Sequence, residues 1–191
     1  MNICVYCSAN NNIAEFYKEL ASEFGKWIAS EHYTLVYGGA TGGLMSAVSD
    51  SAAQAGGEVI GVLPQRILQS GREAKNCTEQ HIVRTMNERK DRFKQLADVF
   101  VCLPGSYGTL DEMFDVIASG TVGEHRKPIY ILNYQGFYDD TIEQIKHMKE
   151  LSFIPQQENY TPHFVTSLDQ LKKELSQLGQ KAQKIYNLTT A

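Results

Sequence analysis

A segment of small residues between positions 103 and 112, with the sequence LPGSYGTLDE, could hold an anion. It follows an apolar run typical of a buried strand and opens a segment of helical period. Glycines let the backbone turn sharply and approach a ligand, while the free N–H groups and the positive end of the following helix favour negative charge. The segment therefore predicts a phosphate-binding loop at the carboxyl end of a strand. The residues of this loop are Gly105, Ser106, Tyr107, Gly108 and Thr109.

The same segment also fits a purely structural interpretation. Thr109 and Glu112 have the S/T-x-x-E spacing of a capping box, in which each side chain bonds the backbone N–H of the other at a helix start. A capping box does not account for Pro104, Gly105 and Gly108 ahead of it, so we favour a ligand site. The two interpretations can coexist, because a cap would fix Glu112 where chemistry needs it.

A second glycine cluster, YGGATGGLM at positions 37–45, marks another turn from strand to helix. The spacing is not G-x-G-x-x-G, and no acidic residue ends the following strand to hold a ribose, since Glu58 begins that strand. Two interpretations remain open, a contribution to the ligand site and a tight turn with close helix packing. The glycines concerned are Gly38, Gly39, Gly42 and Gly43.

A third candidate is the helix that opens with MNERK at positions 86–90. Phe93 and Leu96 are predicted to form its buried side. By themselves, two basic residues such as Arg89 and Lys90 are typical of a solvated helix surface. They become candidates for a site only in combination with the two glycine-rich segments.

These segments alternate with β-branched and aromatic runs, which predicts a single-domain, Rossmann-like α/β fold with a doubly wound, mostly parallel sheet flanked by helices. We expect this domain to span residues 1–180, with a loosely held tail at 181–191 and a long loop at 65–78. The predicted strands are 3–7, 33–37, 58–63, 99–103, 128–132 and a short one near 163–166. The predicted helices are 14–30, 44–55, 87–97, 109–119, 138–150 and 168–178. The buried stripe of the first helix is predicted to comprise Phe16, Leu20, Phe24, Trp27 and Ile28.

The amino-acid composition argues against two classes of binding partner. A net charge of -4 and a pI near 5.7 argue against binding to nucleic acid or to a membrane surface, since such proteins usually carry a basic face. The chain shows neither a signal sequence nor an apolar run that could span a bilayer, so we expect a cytoplasmic protein.

Cys4 and Cys7 lie in a predicted strand at an odd separation, which points them to opposite faces and disfavours a redox pair. The histidines are dispersed and predict no metal site.

The motif Met86-x-x-Arg89-Lys90, followed by Pro104-Gly105-Ser106-Tyr107-Gly108-Thr109-x-x-Glu112, closely resembles the paired signatures of the LOG family. These are cytokinin riboside 5′-monophosphate phosphoribohydrolases, often labelled lysine decarboxylases. The similarity extends from the opening residues 3–8 through the 37–39 turn and 56–62 to 153–154. One departure is Ser106, where the family usually has a second glycine. Because serine tolerates a positive φ poorly, either the backbone there is ordinary or the loop differs in shape.

The resemblance implies that Arg89 and Glu112 are catalytic and that Lys90 and the loop 105–109 hold the nucleotide. It also implies that Glu73, in the long loop, lies near the substrate. Further substrate-binding residues are expected at Ser8, at Met86 and Asp111, and at the glycines of the second cluster. A homodimer without a cofactor is implied as well.

The expected reaction is hydrolysis of the N-glycosidic bond of a purine nucleoside 5′-monophosphate, with AMP or an N6-modified relative as substrate. Glu112 would stabilise the positive charge that develops on the ribose and orient or deprotonate a water. The alternative is a module that binds or senses a nucleotide without cleaving it. A decarboxylase that uses pyridoxal phosphate is less favoured, because no lysine stands out as a Schiff-base site.

Overall fold

Seven strands form one sheet, and helices cover both of its faces. The computed structural model describes residues 1–155 and 157–189. The strands are β1 (Asn2–Tyr6), β2 (Thr34–Tyr37), β3 (Val59–Pro64), β4 (Glu79–Val83), β5 (Val99–Cys102), β6 (Ile129–Leu132) and β7 (His163–Val165). The helices are α1 (Glu15–Ser30), α2 (Gly43–Gln54), α3 (Gln65–Gln69), α4 (Met86–Leu96), α5 (Tyr107–Thr121), α6 (Asp139–Glu150) and α7 (Leu168–Thr189).

The strand order is β4-β3-β2-β1-β5-β6-β7, and every neighbouring pair is parallel. The chain winds outward from β1 through β2 and β3 to β4, and then from β5 through β6 to β7. The direction of winding therefore reverses between β1 and β5. In such sheets the ligand crevice lies at the carboxyl ends of the strands that flank this reversal. The predicted doubly wound α/β fold is confirmed.

The central strands are buried on both faces, which explains their continuous apolar sequences. Ile3 and Val5 face one core layer, which is covered by α1, α2 and α7. Cys4 and Tyr6 face the other layer, which is covered by α4 and α5. Cys7 belongs to the first layer, so Cys4 and Cys7 point to opposite faces as predicted, and both are free thiols.

Several boundaries differ from the prediction. The predicted loop at 65–78 begins with the short helix α3, and strand β4 directly after it was not predicted. Helix α5 begins at Tyr107, two residues before the predicted start. Phe16 is 37% exposed and so does not belong to the buried stripe of α1.

The C-terminal helix α7 continues to Thr189 instead of ending at Leu178. Residues 181–189 are therefore helical, and positions 190 and 191 lie outside the described residues. Within the described ranges, no helix is long and apolar enough to cross a membrane.

Candidate active site

The start of α5 presents backbone donors at the carboxyl end of β5. Ser106 precedes the helix with an extended backbone, at φ −105° and ψ −155°, and its side chain caps nothing. The N–H groups of Tyr107, Gly108 and Thr109 make no hydrogen bond to any described residue. Because the backbone of Ser106 is ordinary, a serine fits where the family usually has glycine. The helix start therefore offers the geometry of an anion site.

The structure does not contain the capping box that the spacing of Thr109 and Glu112 could have formed, so that structural interpretation is wrong. Thr109 is the third residue of α5, and its side chain is buried instead of capping the helix start. Glu112 is also buried, 4% exposed, and its carboxylate bonds to Arg89 instead of reaching back to a backbone N–H. The S/T-x-x-E spacing at 109–112 therefore does not mark a helix cap here, and the Glu112 carboxylate is not used to bond the start of the helix.

Arg89 and Glu112 form a buried ion pair between α4 and α5. Arg89 is 7% exposed, and its Nη1 donates to Oε1 of Glu112 at 2.9 Å. The other two guanidinium nitrogens donate to backbone carbonyls, Nε to Val62 at 2.9 Å and Nη2 to Gly38 at 3.1 Å. The guanidinium also lies over the ring of Phe93, 5.0 Å from its centroid. The interpretation of Arg89 as a solvated surface residue is thus wrong.

The environment of Glu112 favours its neutral form. Burial raises the pKa of Glu112 to about 7, although the nearby charge of Arg89 lowers this pKa. The negative charges of Asp111 and Asp115 add to the rise. In the described chain, Oε2 of Glu112 accepts no hydrogen bond. A buried carboxyl group with a pKa near neutrality and one unbonded oxygen is suited to acid–base or electrostatic catalysis.

Lys90 lies next to this pair but faces the surface between α4 and α5. Its Nζ contacts Asp111 at 3.1 Å and Asp115 at 3.3 Å, and Asp115 also contacts Lys94 at 3.0 Å. Burial lowers the pKa of Lys90, but the hydrogen bond to Asp111 and the charge of Asp115 outweigh burial and raise it. Lys90 is therefore a protonated amine engaged by two carboxylates, which joins α4 to α5 and places Asp111 beside the site.

The second glycine cluster closes the start of α2 instead of opening it to a ligand. The N–H groups of Leu44 and Met45 donate to the carbonyl of Ser8, at 2.9 and 3.3 Å. The N–H of Gly43 donates to Oδ1 of Asn11, and that of Gly42 to Oγ of Ser46, at 2.9 and 2.8 Å. These bonds satisfy the donors that an anion would need, which favours the tight-turn interpretation for Gly42 and Gly43.

Gly38 has a different function in the cluster, because its carbonyl holds Arg89. A Cβ atom at Gly38 would overlap Nη2 of Arg89, so only glycine leaves room for the guanidinium. Gly39 has a φ of +67°, and its carbonyl accepts from the N–H of Ala74 at 2.9 Å. This bond brings the long loop onto the glycine turn.

Glu73 lies in that loop, where it forms an isolated antiparallel bridge with Ala40. The N–H of Thr41 donates to the carbonyl of Arg72 at 2.8 Å and extends the contact. Oε2 of Glu73 is buried and has no hydrogen-bond partner in the part of the chain that the structure describes. Two predicted substrate-binding side chains are instead open to solvent, Met86 at 47% and Tyr107 at 90% exposure.

The residues that fix the start of α4 were missed by the sequence analysis. Oγ1 of Thr85 accepts from the N–H of Glu88 at 3.1 Å, and Oε2 of Glu88 accepts from the N–H of Arg84 at 2.8 Å. The sequence Thr85-x-x-Glu88 carries the S/T-x-x-E signal that could have revealed this cap. It sets the first turn of the helix that carries Arg89.

Comparisons with known proteins agree with this arrangement. Residues 45–175 match the family model described as "Possible lysine decarboxylase". The chain is 36% identical over 152 residues to the rice protein "Probable cytokinin riboside 5'-monophosphate phosphoribohydrolase LOG4", covering 80% of this chain and 66% of that protein. It therefore spans slightly less than two thirds of that relative. It is 34% identical over 185 residues to the Arabidopsis thaliana protein "Cytokinin riboside 5'-monophosphate phosphoribohydrolase LOG1", covering 96% of this chain and 86% of that protein.

A solved structure supports the fold. The molybdenum cofactor binding protein from Rippkaea orientalis superposes with a TM-score of 0.70 at 21% identity, covering 93% of this chain and 96% of that protein. At this identity the likeness concerns the fold alone. The family model, which covers most of the chain, and the LOG1 relative together show that this chain belongs to the LOG family.

Proposed function

We propose that the protein hydrolyses the N-glycosidic bond of a purine nucleoside 5′-monophosphate to give the free base and ribose 5-phosphate. The observation that carries this proposal is the buried pair of Arg89 and Glu112, which lies within the first two turns of α4 and α5, close to backbone amides that bond no described residue. The names of the relatives support the same class of reaction.

The chemistry requires a negative charge near the ribose. As the bond between C1′ and the base nitrogen breaks, positive charge builds on the ribose ring. The Glu112 carboxylate would stabilise this charge and orient or deprotonate the water that attacks C1′. Water supplies the hydroxyl to C1′ and, overall, the proton to the departing base. Three of the five guanidinium N–H donors of Arg89 are bonded within the protein, and one of them holds Glu112, so Arg89 would act mainly by fixing the carboxylate.

The 5′-phosphate would bind at the start of α5. The N–H groups of Tyr107, Gly108 and Thr109 bond no residue that the structure describes, and a helix N-terminus favours an anion. AMP or an N6-modified relative such as isopentenyladenosine monophosphate is the expected substrate. Glu73 would accept a hydrogen bond from the bound nucleotide, because its buried Oε2 has no donor among the described residues.

Two alternatives fit the geometry less well. A module that only binds nucleotides gains nothing from a buried carboxyl group such as Glu112 close to a phosphate, because like charges repel. A pyridoxal-dependent decarboxylase needs a lysine amine with a lowered pKa, whereas the pKa of Lys90 is raised by its aspartate partners against the effect of burial.

We also propose that the protein is a homodimer, as the family resemblance implies, and that it is cytoplasmic. Light scattering at micromolar concentration tests the assembly, and a monomer would contradict it. Expression with a fluorescent tag tests the compartment.

Base release is the direct test of the activity. The protein is incubated with a panel of nucleoside monophosphates, and free base and ribose 5-phosphate are measured by chromatography. Release of free base from a purine monophosphate supports the proposal. Tight binding without release would favour the non-catalytic alternative.

A further inference from the structure

A buried tyrosine from outside the motif holds the turn that leads into α5. Tyr138 follows β6, is 1% exposed, and donates its hydroxyl hydrogen to the carbonyl of Leu103 at 2.8 Å. Leu103 stands at the end of β5, directly before Pro104 and Gly105. The side chain therefore connects the β6–α6 segment with the β5–α5 loop.

The hydroxyl remains a hydrogen donor to this carbonyl at neutral pH. Burial raises the pKa of Tyr138, so the phenol keeps its hydrogen and can donate it to Leu103. Two residues further on, Gly105 packs so tightly against the side chain of Thr109 that an added Cβ would overlap it.

Tyr138 is itself held firmly in place. Its backbone N–H donates to Oδ1 of Asn133 at 2.7 Å. Asn133 is buried, and its Nδ2 donates to Asp139 at 2.7 Å while its own N–H donates to the carbonyl of Val165 at 2.8 Å. This set of bonds ties the Tyr138 backbone to the last two strands of the sheet, so the hydroxyl is a fixed point.

We infer that Tyr138 is a positioning residue, whose hydroxyl sets the Leu103–Gly105 turn so that the first amides of α5 converge on the substrate phosphate. The inference rests on the proposed function, since it concerns the same phosphate. Nothing in the LPGSYGTLDE motif could show it, because the residue lies about one strand and one helix away in the sequence. A hydroxyl that merely satisfied a buried carbonyl would affect stability but not phosphate binding.

The test compares two buried tyrosines that make the same kind of bond. Tyr160 donates its hydroxyl hydrogen to the carbonyl of Lys127 at 2.6 Å, just before β6 and thus at the opposite end of the sheet. Tyr138→Phe and Tyr160→Phe each remove one such bond, so both should lower the melting temperature. Calorimetry then measures the affinity of each protein for AMP, adenosine and inorganic phosphate.

We expect Tyr138→Phe to bind AMP and inorganic phosphate roughly fivefold more weakly than wild type, the scale of one hydrogen bond. The affinity for adenosine should not change. Tyr160→Phe should leave all three affinities unchanged. Equal AMP affinity in wild type and Tyr138→Phe would overturn the inference, as would an equal loss in the two variants. Because the readout is binding, AMP that binds without base release would overturn the proposed function and leave this inference standing.

A second measurement covers the case in which Tyr138→Phe does not fold. In the wild-type protein, the hydroxyl hydrogen that Tyr138 donates to the carbonyl of Leu103 is buried, so we expect it to exchange slowly enough with water to give an NMR signal. This signal should shift when AMP or inorganic phosphate binds and stay in place when adenosine binds. A signal that AMP and phosphate leave in place would show that the hydroxyl does not set the phosphate site, and would overturn the inference.

Discussion

Nη1 of Arg89 lies 2.9 Å from Oε1 of Glu112, and the guanidinium is itself fixed by the carbonyls of Gly38 and Val62. The position of the carboxylate is therefore defined by the backbone at the ends of β2 and β3, through one side chain. Because Arg89 is held by backbone carbonyls, it can keep the Glu112 carboxyl group in position whether that group is ionised or neutral.

Replacing Glu112 with glutamine should abolish most of the turnover but preserve the fold. The amide oxygen can still accept from Arg89, whereas the amide supplies no negative charge and accepts no proton from water. We expect base release from AMP to fall by roughly two orders of magnitude or more. AMP affinity should change much less. Base release and calorimetry on the folded variant measure the two effects.

The exposed Glu124, just after α5, provides the control. Glu124→Gln removes one negative charge at the other end of α5, away from the site, and should leave turnover unchanged. If Glu112→Gln binds AMP and turns it over at the wild-type rate, the catalytic role of Glu112 is wrong.

The pKa of Glu112 predicts how activity depends on pH. With a pKa of about 7, the carboxylate form predominates above neutrality and the inactive neutral form below it. We expect kcat to rise with pH up to about 7 and then to level off, with a tenfold loss per pH unit on the acid side. A profile of kcat from pH 5 to 9 at saturating AMP would show this limb. A flat profile would exclude Glu112 as the titrating base.

Stability should depend on pH in the opposite direction. Burial raises the pKa of Glu112 from its ordinary value of 4.5 to about 7, so the folded state keeps a proton that the unfolded chain loses. The resulting stabilisation is complete below pH 4.5 and is lost as the pH rises through about 7, by on the order of 3 kcal/mol. Comparing urea unfolding of wild type and Glu112→Gln isolates this contribution, because the amide does not titrate. Parallel curves for the two proteins would contradict the prediction.

Arg89→Lys should shift the acid limb of activity to higher pH. A single ammonium group cannot replace three nitrogens that bond Val62, Gly38 and Glu112 at once. Because the guanidinium lowers the pKa of Glu112, its loss lets that pKa rise further. Part of the lost activity should return at alkaline pH, and the melting temperature should fall. An acid limb at the wild-type pH, with turnover lowered equally at every pH, would indicate that Arg89 does not act through Glu112.

The sequence was sufficient for six of the seven described strands and for naming Arg89 and Glu112, but not for the geometry of this pair. The strand runs and the two LOG-type motifs locate Arg89 and Glu112. The burial of Arg89 depends on carbonyls of β3 and of the glycine turn, which are distant in sequence, so a local pattern predicts a solvated side chain instead. Strand β4 was missed because its residues, EQHIV, form a largely exposed edge strand without a continuous apolar run.

Helix caps, too, could not be predicted reliably from the local sequence. The spacing S/T-x-x-E occurs at Thr85–Glu88 and at Thr109–Glu112, and the structure uses only the first as a cap. The second fails because α5 begins at Tyr107, which places Thr109 inside the helix. The start of α5 is set by the end of β5 and by the turn whose Leu103 carbonyl is bonded to Tyr138. A four-residue pattern carries no information about either.

The anion site at α5 can be tested one amide at a time. Tyr107 is the first residue of the helix, where proline is tolerated, and Ser106 before it has the extended backbone that a following proline requires. Tyr107→Pro therefore removes a single N–H donor without breaking the helix. Tyr107→Ala removes the same exposed ring and keeps the donor, so the difference between the two variants reports the N–H alone. We expect AMP to bind roughly tenfold more weakly to the proline variant than to the alanine variant, the scale of a hydrogen bond to a charged group. Adenosine should bind both equally, and wild type should cleave AMP far faster than adenosine. Equal AMP affinity in the two variants would place the phosphate elsewhere.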